Sequence, residues 1–521
     1  MSSRTAATRG REAFHQMKRI FAAGMSALLL AATVAGCSSG TKDSSGAKRT
    51  LTLGAIIDVA SFDPSQSDVG NYMQYLQPAY DTLIKIDSTN QLQPMLATKW
   101  TYTDGTKTKL ELTIRGDVKF SDGTAMDADA VVKSLERFKA ANGPRSSALQ
   151  NVESITAPDK TTVDITLSSP DPALVHNLGL VAGMITNPAA VATDLKSTPA
   201  GTGPYVLDTK KTNRGNVYAF VRNQYYYDTA AFPFNEIDIR VMTDPTARLN
   251  AVKTGEVDAA FALASQTSTA KGSGLNVLAN PGDWQGLFLN DREGKIVKAM
   301  SDVRVRQAIS YAIDGDAILK SYAFGHGSSS TQIFYPGTAA YDASLNSKYP
   351  YDPAKAKQLL AEAGYAGGFT LTMPSSTAFF GSVYPILQEQ LAAVGIKVDY
   401  KNEPASAGLT PYLSQEFPAY LFSWGSSDNW LDASLLLAKN GAWNPLHAGD
   451  ATIESLMKQI AVASGSAQDA LYKQLSAYVV DQAWFVPFYV ADNIYISSTS
   501  VKVVAQPEQS VPSIYNYSPA S

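Results

Sequence analysis

The chain has 521 residues, of which 17% are charged and 10% aromatic, and its formal net charge is −4 at pH 7. An acidic balance of this kind excludes nucleic acid as a partner, because neutralising phosphates requires a basic surface. Cys37 is the only cysteine, which excludes an intramolecular disulfide and leaves stability to the core.

The first segment carries Arg4, Arg9, Arg11, Lys18 and Arg19 against a single acid, Glu12, and runs into the apolar stretch 20–35. That stretch is too short and too alanine-rich for a bilayer span and reads as an export signal. Val34, Ala35 and Gly36 directly before Cys37 resemble the lipobox of bacterial lipoproteins. The resemblance implies a signal peptide over 1–36 and a lipidated Cys37 as mature N-terminus. The mature protein would then be exported and anchored to the outer face of the cytoplasmic membrane, on the periplasmic or cell-surface side. An ordinary signal peptide cleaved nearby is the other reading. Residues 37–48 hold no apolar side chain larger than alanine after Cys37 and read as a flexible tether. From Cys37 onward the chain carries a net charge of about −8 and exceeds the size of one hydrophobic core, so at least two packed lobes are expected.

Residues 50–57 read as a first strand. Residues 109–115 and 161–167 alternate polar and apolar side chains with the period of a half-buried strand. Residues 126–139 form a helix pattern, with Ala130, Val131, Leu135 and Phe138 on one face and Asp127 placed to cap it. The alternating strand 236–241 leads into Asp244-Pro245 and on to Gly255: a cap, a proline at the first helical position and a glycine stop. The same grammar recurs from Asp352-Pro353 to Gly364. A helix over 383–394 then ends at Gly395 and feeds the strand 396–400. The pattern is mixed α/β without a 20–50-residue repeat.

Seven stretches, in order, resemble the family 5 solute-binding proteins, the dipeptide and oligopeptide receptors of ABC importers. They are Pro94-Met-Leu-Ala-Thr-Lys-Trp100, Val118-Lys-Phe-Ser-Asp-Gly-Thr124 running into Asp129-Ala-Val-Val132, Gly201-Thr-Gly-Pro-Tyr205, Arg222-Asn-Gln-Tyr-Tyr226, Gly255-Glu-Val-Asp258, Asp302-Val-Arg-Val-Arg-Gln-Ala308 with Ala312-Ile-Asp314, and Tyr351-Asp-Pro-Ala-Lys-Ala-Lys357 with Ala363-Gly-Tyr365. Most have a plain structural reading. Gly201-Thr-Gly-Pro-Tyr205 suits a backbone turn that only glycine tolerates, and Ser121-Asp-Gly-Thr124 suits a tight loop before a helix.

The resemblance implies a two-lobed periplasmic-binding-protein-like α/β fold (type II, cluster C) with an extra subdomain inserted in lobe I. Lobe I would span 49–278, with the insertion at about 90–195, lobe II 279–484, and 485–521 would return to lobe I. Candidate crossovers are 277–290 and 481–490. The implied role is a monomeric receptor, without cofactor or metal, that closes its lobes on a small solute, most simply a short peptide. It would deliver that solute to the transmembrane subunits of an ABC permease with separate ATPase subunits. The chain has no Gly-x4-Gly-Lys-Ser/Thr motif of its own.

In peptide-binding relatives a tryptophan is followed three residues later by an aspartate that pairs with the peptide ammonium. Here Trp424 and Gly425 lead to Ser427 at that place, with Asp428 one residue on, followed by Asn429 and Trp430. Either Asp428 serves as the anchor or the anchor is absent and the cargo is an oligosaccharide, an opine or a metal chelate. Trp284, Trp443 and Phe62 are further aromatic candidates, each equally readable as core. A surface hydrolase is the remote alternative. Gly36-Cys-Ser-Ser-Gly40 fits a nucleophile elbow but lies in the tether, and Ser427-Asp-Asn429, Lys253-Thr-Gly255 and Ser455-Leu-Met-Lys458 stand in the wrong order for penicillin-recognising enzymes. His176, His326 and His447 have no close metal-ligand spacing, so the reading is a receptor and not an enzyme.

Overall fold

The computed structural model describes residues 50–191, 194–376, 380–425, 428–506 and 509–520; the export signal, Cys37, the tether and Ser427 lie outside the described residues. The local grammar of the sequence is realised element by element. Helix Pro245–Thr254 has Asp244 accepting from the Ala247 N–H and ends at Gly255 with φ +75°. Helix Pro353–Glu362 is capped by Asp352 through the Lys355 N–H. Helix Ala128–Ala140 is capped by Asp127 and buries Val131, Leu135 and Phe138. An aspartate cap satisfies N–H groups that the first turn leaves open, and proline gives up only an N–H that has no helical partner.

The principal sheet has nine strands. Its order is Ala419–Trp424, Asn276–Leu289, Phe485–Ser497, Ala259–Ala262, Thr50–Ala55, Glu236–Val241, Val217–Arg222 and Tyr205–Leu207, with Gly327–Ser329 also paired to Phe485–Ser497. Thr50–Ala55 runs parallel to both Glu236–Val241 and Ala259–Ala262. The long strands Asn276–Leu289 and Phe485–Ser497 pair antiparallel and pass from one core to the others. At one end Ile494 and Ile496 pack with Leu249 and Val252. At the other, Leu287 and Phe488 join Ile309 and Leu371, while Trp284, Phe288 and Phe485 join Tyr420 and Leu436. The register slips between Pro281 and Trp284, a bulge that bends the pair where the two lobes meet.

The first lobe's core extends from Leu51, Leu53 and Phe220 into a separate four-stranded antiparallel sheet, Ala97–Tyr102, Lys109–Ile114, Thr162–Leu167 and Val152–Asp159, against which Ala128–Ala140 packs. The Gly201-Thr-Gly-Pro-Tyr205 stretch corrects the turn reading. A Cβ on Gly201 would lie 2.3 Å from Tyr80 Cδ1, and one on Gly203 2.3 Å from the Ala79 carbonyl carbon. Close backbone approach to residues 78–80, rather than a left-handed turn, requires glycine there.

Candidate functional site

A cavity of about 560 Å³ lies between the lobes, within the range that encloses a small solute. Asp68, Asn71, Arg145 and His176 line it from the first lobe, and Trp424, Gly425, Asp428 and Trp443 from the second. The second-lobe wall is built by one strand–helix junction. Strand Ala419–Trp424 delivers Trp424, and helix Asn429–Leu436 begins with Asp428 as its cap, Oδ1 accepting from the N–H groups of Trp430 at 2.8 Å and Leu431 at 3.2 Å. The Trp424 indole N–H donates to the buried Asp432 at 3.0 Å, and its carbonyl accepts from Tyr335. The ring is therefore fixed from behind. Trp443 meets Trp424 edge-on at 5.1 Å and Phe422 at 4.7 Å, completing an aromatic wall.

The bulge adds an acid beside this wall. Asp283 accepts from the Ser423 hydroxyl at 3.1 Å, and a Cβ on Gly425 would come within 3.2 Å of its Oδ1, so Gly425 makes room for it. Asp283 is exposed by surface area yet surrounded by protein, and that desolvation raises its carboxyl above the usual range against the Ser423 bond. Across the cleft, Arg145 is ion-paired through Nε to Asp68 Oδ1. His176, on the turn Leu174–Asn177, is held below the usual imidazole range by burial, with the charge of Asp428 pulling the other way. Burial and then Asp428 also raise Tyr472. Asp171 is raised by burial against bonds from Asn151 and the Ala173 N–H, with Asp428 adding to the rise. One second-lobe carboxylate thus acts electrostatically on two residues of the first lobe.

Of the residues singled out from sequence, Trp424, Gly425, Asp428 and Trp443 come together at the cavity. Asn429 and Trp430 lie in the first helical turn behind it, and Trp430 packs against the aromatic core. Two aromatic candidates are corrected. Trp284 is fully buried and stacked on Phe288 at 4.8 Å, because it points to the same sheet face as that core residue. Phe62 is fully buried edge-on to Tyr218 at 5.6 Å, in a turn pinned by the Asp63–Arg137 ion pair. Asp68, Arg145, His176 and Asp283 were not singled out from sequence; they arrive from separate loops and a bulge, and no spacing marks them.

The model of bacterial extracellular solute-binding proteins, family 5 (middle), matches residues 91–444. The chain belongs to this family. Glutathione-binding protein GsiB of Escherichia coli (strain K12) is 30% identical over 392 residues, 73% of either chain. Among solved structures, AgaA of A. tumefaciens R10 in complex with agropinic acid superposes with TM-score 0.72 at 23% identity, covering 90% of this chain and 98% of that one. DppA of Helicobacter pylori in complex with the peptide STSA gives 0.73 at 22% identity, covering 91% and 99%. These likenesses share the two-lobed fold. Family 5 proteins are transport binding proteins and not enzymes, so this chain is the extracytoplasmic solute-binding protein of an ABC importer and hands a peptide or small solute to the permease. Among the described residues no helix is long and apolar enough to cross a membrane.

Proposed function

We propose that the cargo is a short peptide, held as a zwitterion between Asp428 on the second lobe and Arg145 on the first. The observation that carries this reading is the position of Asp428, which lines the interlobe cavity while its charge reaches His176 and Asp171 on the opposite side. A carboxylate has about four acceptor positions, so capping two N–H groups leaves capacity for an ammonium. Asp68 engages Arg145 through Nε, and the guanidinium retains terminal nitrogens for a carboxylate. The aromatic wall then takes the apolar part of the cargo. Because the two anchors sit on different lobes, the ligand contacts both only when the lobes are closed, and its differential affinity drives closure.

The same proposal includes a lipid anchor on Cys37, a monomeric receptor, and lobe boundaries at 49–278 with 485–521 and at 279–484, with the inserted subdomain near 90–195. A second reading, a non-peptide cargo such as an opine, oligosaccharide or metal chelate, is favoured by the aromatic wall of Phe422, Trp424 and Trp443, since such faces also accept planar or ring-shaped solutes. Calorimetry with a free and an N-acetylated tripeptide separates the two. Asp428→Asn retains a good helix cap but loses the charge, so it should weaken the free peptide at least tenfold, about 1.4 kcal/mol. Acetylation should cost wild type as much and cost the variant little more. Unchanged affinity in Asp428→Asn refutes the anchor.

A further inference from the structure

A polar cluster lies buried in the second lobe, where the long strand Asn276–Leu289 ends, and none of its residues lines the interlobe cavity. Asn290 and Tyr420 are fully buried and Arg292 is 6% exposed. Phe288 stands opposite Tyr420 in the sheet, so Asn290, two residues further on, reaches the same face as the Tyr420 ring. The Arg292 guanidinium stacks over Trp484 at 4.0 Å and donates through Nε to the Leu289 carbonyl at 3.0 Å. The Arg292 guanidinium also lies 5.1 Å from the Phe485 ring, Phe485 meets Phe288 at 5.2 Å and Phe288 stacks on Tyr420. The three side chains are therefore gathered around one aromatic group.

Five polar atoms in that region have no hydrogen-bond partner among the described residues: Arg292 Nη1 and Nη2, Asn290 Oδ1 and Nδ2, and the Tyr420 hydroxyl. Among the described residues no carboxylate acts on the guanidinium. The neighbouring charge that acts on Arg292 is a second buried guanidinium, Arg306, whose own donors reach the carbonyls of Met300 and Gln482. Asp291 is buried beside Arg292 in sequence but accepts from the N–H groups of Lys295, Ile296 and Val297. Arginine stays protonated even when buried, and a buried charge without a counter-charge is strongly unfavourable. Water would satisfy the open donors and leave that charge uncompensated. The open atoms are predominantly donors, which suits an anion, and the cluster lies outside the interlobe cavity, which suits a small one. We propose that Arg292, Asn290 and Tyr420 bind a monoatomic anion of halide type. Tyr420 stacks on Phe288 at 4.9 Å and Phe288 reaches Trp443 at 6.2 Å, so the ion would brace the base of the cavity's aromatic wall.

The test compares thermal unfolding of the purified protein in sodium chloride, bromide and gluconate at equal ionic strength, together with anomalous diffraction from crystals grown in bromide. Ligand that binds only the folded state raises the midpoint. The halides should raise it by roughly 2 °C or more over gluconate, and a bromine peak should lie against Arg292 and Tyr420. Tyr420→Phe keeps the ring and removes the donor, and Arg292→Met removes the charge; each should shrink the halide increment, and Tyr420→Phe serves even if Arg292→Met fails to fold. Equal midpoints in the three salts, an increment undiminished in Tyr420→Phe, or ordered solvent without bromine signal overturns the proposal.

Discussion

Asp81 is fully buried in the first lobe and accepts from the hydroxyls of Tyr515 at 3.1 Å and Tyr226 at 3.3 Å. Burial pushes its carboxyl from 3.8 up to about 7, with the tyrosine hydrogen bonds and the Arg115 charge opposing the rise. The unfolded chain releases this proton near the ordinary value while the folded chain retains it, so folding stability falls as pH rises between those limits and is flat above them. The loss amounts to roughly 4 kcal/mol at most. Asp81→Asn should flatten the profile and raise the urea midpoint on the alkaline side, as denaturation at about pH 5 and about pH 8 would show; a profile identical to wild type contradicts the assignment. At the same scale, Trp424 and Asp428 are singled out by their resemblance to the tryptophan and aspartate of peptide-binding relatives, with Asp428 one residue beyond the expected place. Phe62 and Trp284 stay open between cavity and core in the sequence, because aromatic type does not reveal which way a side chain faces. Arg145, Asp68 and His176 carry no local pattern, since only the tertiary fold brings them to one cavity.

The elements themselves were largely legible, because capping and glycine stops act within a few residues. Asp352 illustrates the point: its side chain accepts from the Lys355 N–H at 2.9 Å, and Asp352→Ala should cost about 1 kcal/mol, measurable as a lower urea midpoint with unchanged slope. The hairpin between Ala97–Tyr102 and Lys109–Ile114 carries a contact that sequence does not announce. Lys107 extends from its tip to the Ala463 carbonyl at the C-terminal end of helix Ala451–Val462, in the other lobe. An ammonium is favourable at the negative end of a helix dipole. The bond crosses the cleft without touching the cavity, so Lys107→Met should weaken any cargo about fivefold through faster release while barely moving the unfolding midpoint. Affinity and off-rate equal to wild type would show that the contact does not hold the closed arrangement.

At the scale of the whole molecule, the principal sheet joins two lobes through a bulged strand pair, and the cavity opens beside that bend. The proposed lobe closure would let this geometry couple capture to a movement that a permease can sense. A lipid on Cys37 would hold the receptor at high effective concentration near that permease. Cys37→Ser should therefore leave the affinity of the purified protein intact and abolish uptake in cells; normal uptake removes the anchor from the account. The most direct measurement of the central claim is calorimetry of the purified protein against a library of di- and tripeptides and a panel of oligosaccharides, opines and metal chelates. The account predicts saturable binding of free peptides that Asp428→Asn weakens at least tenfold. Binding of a non-peptide solute together with silence across the peptide library would contradict it.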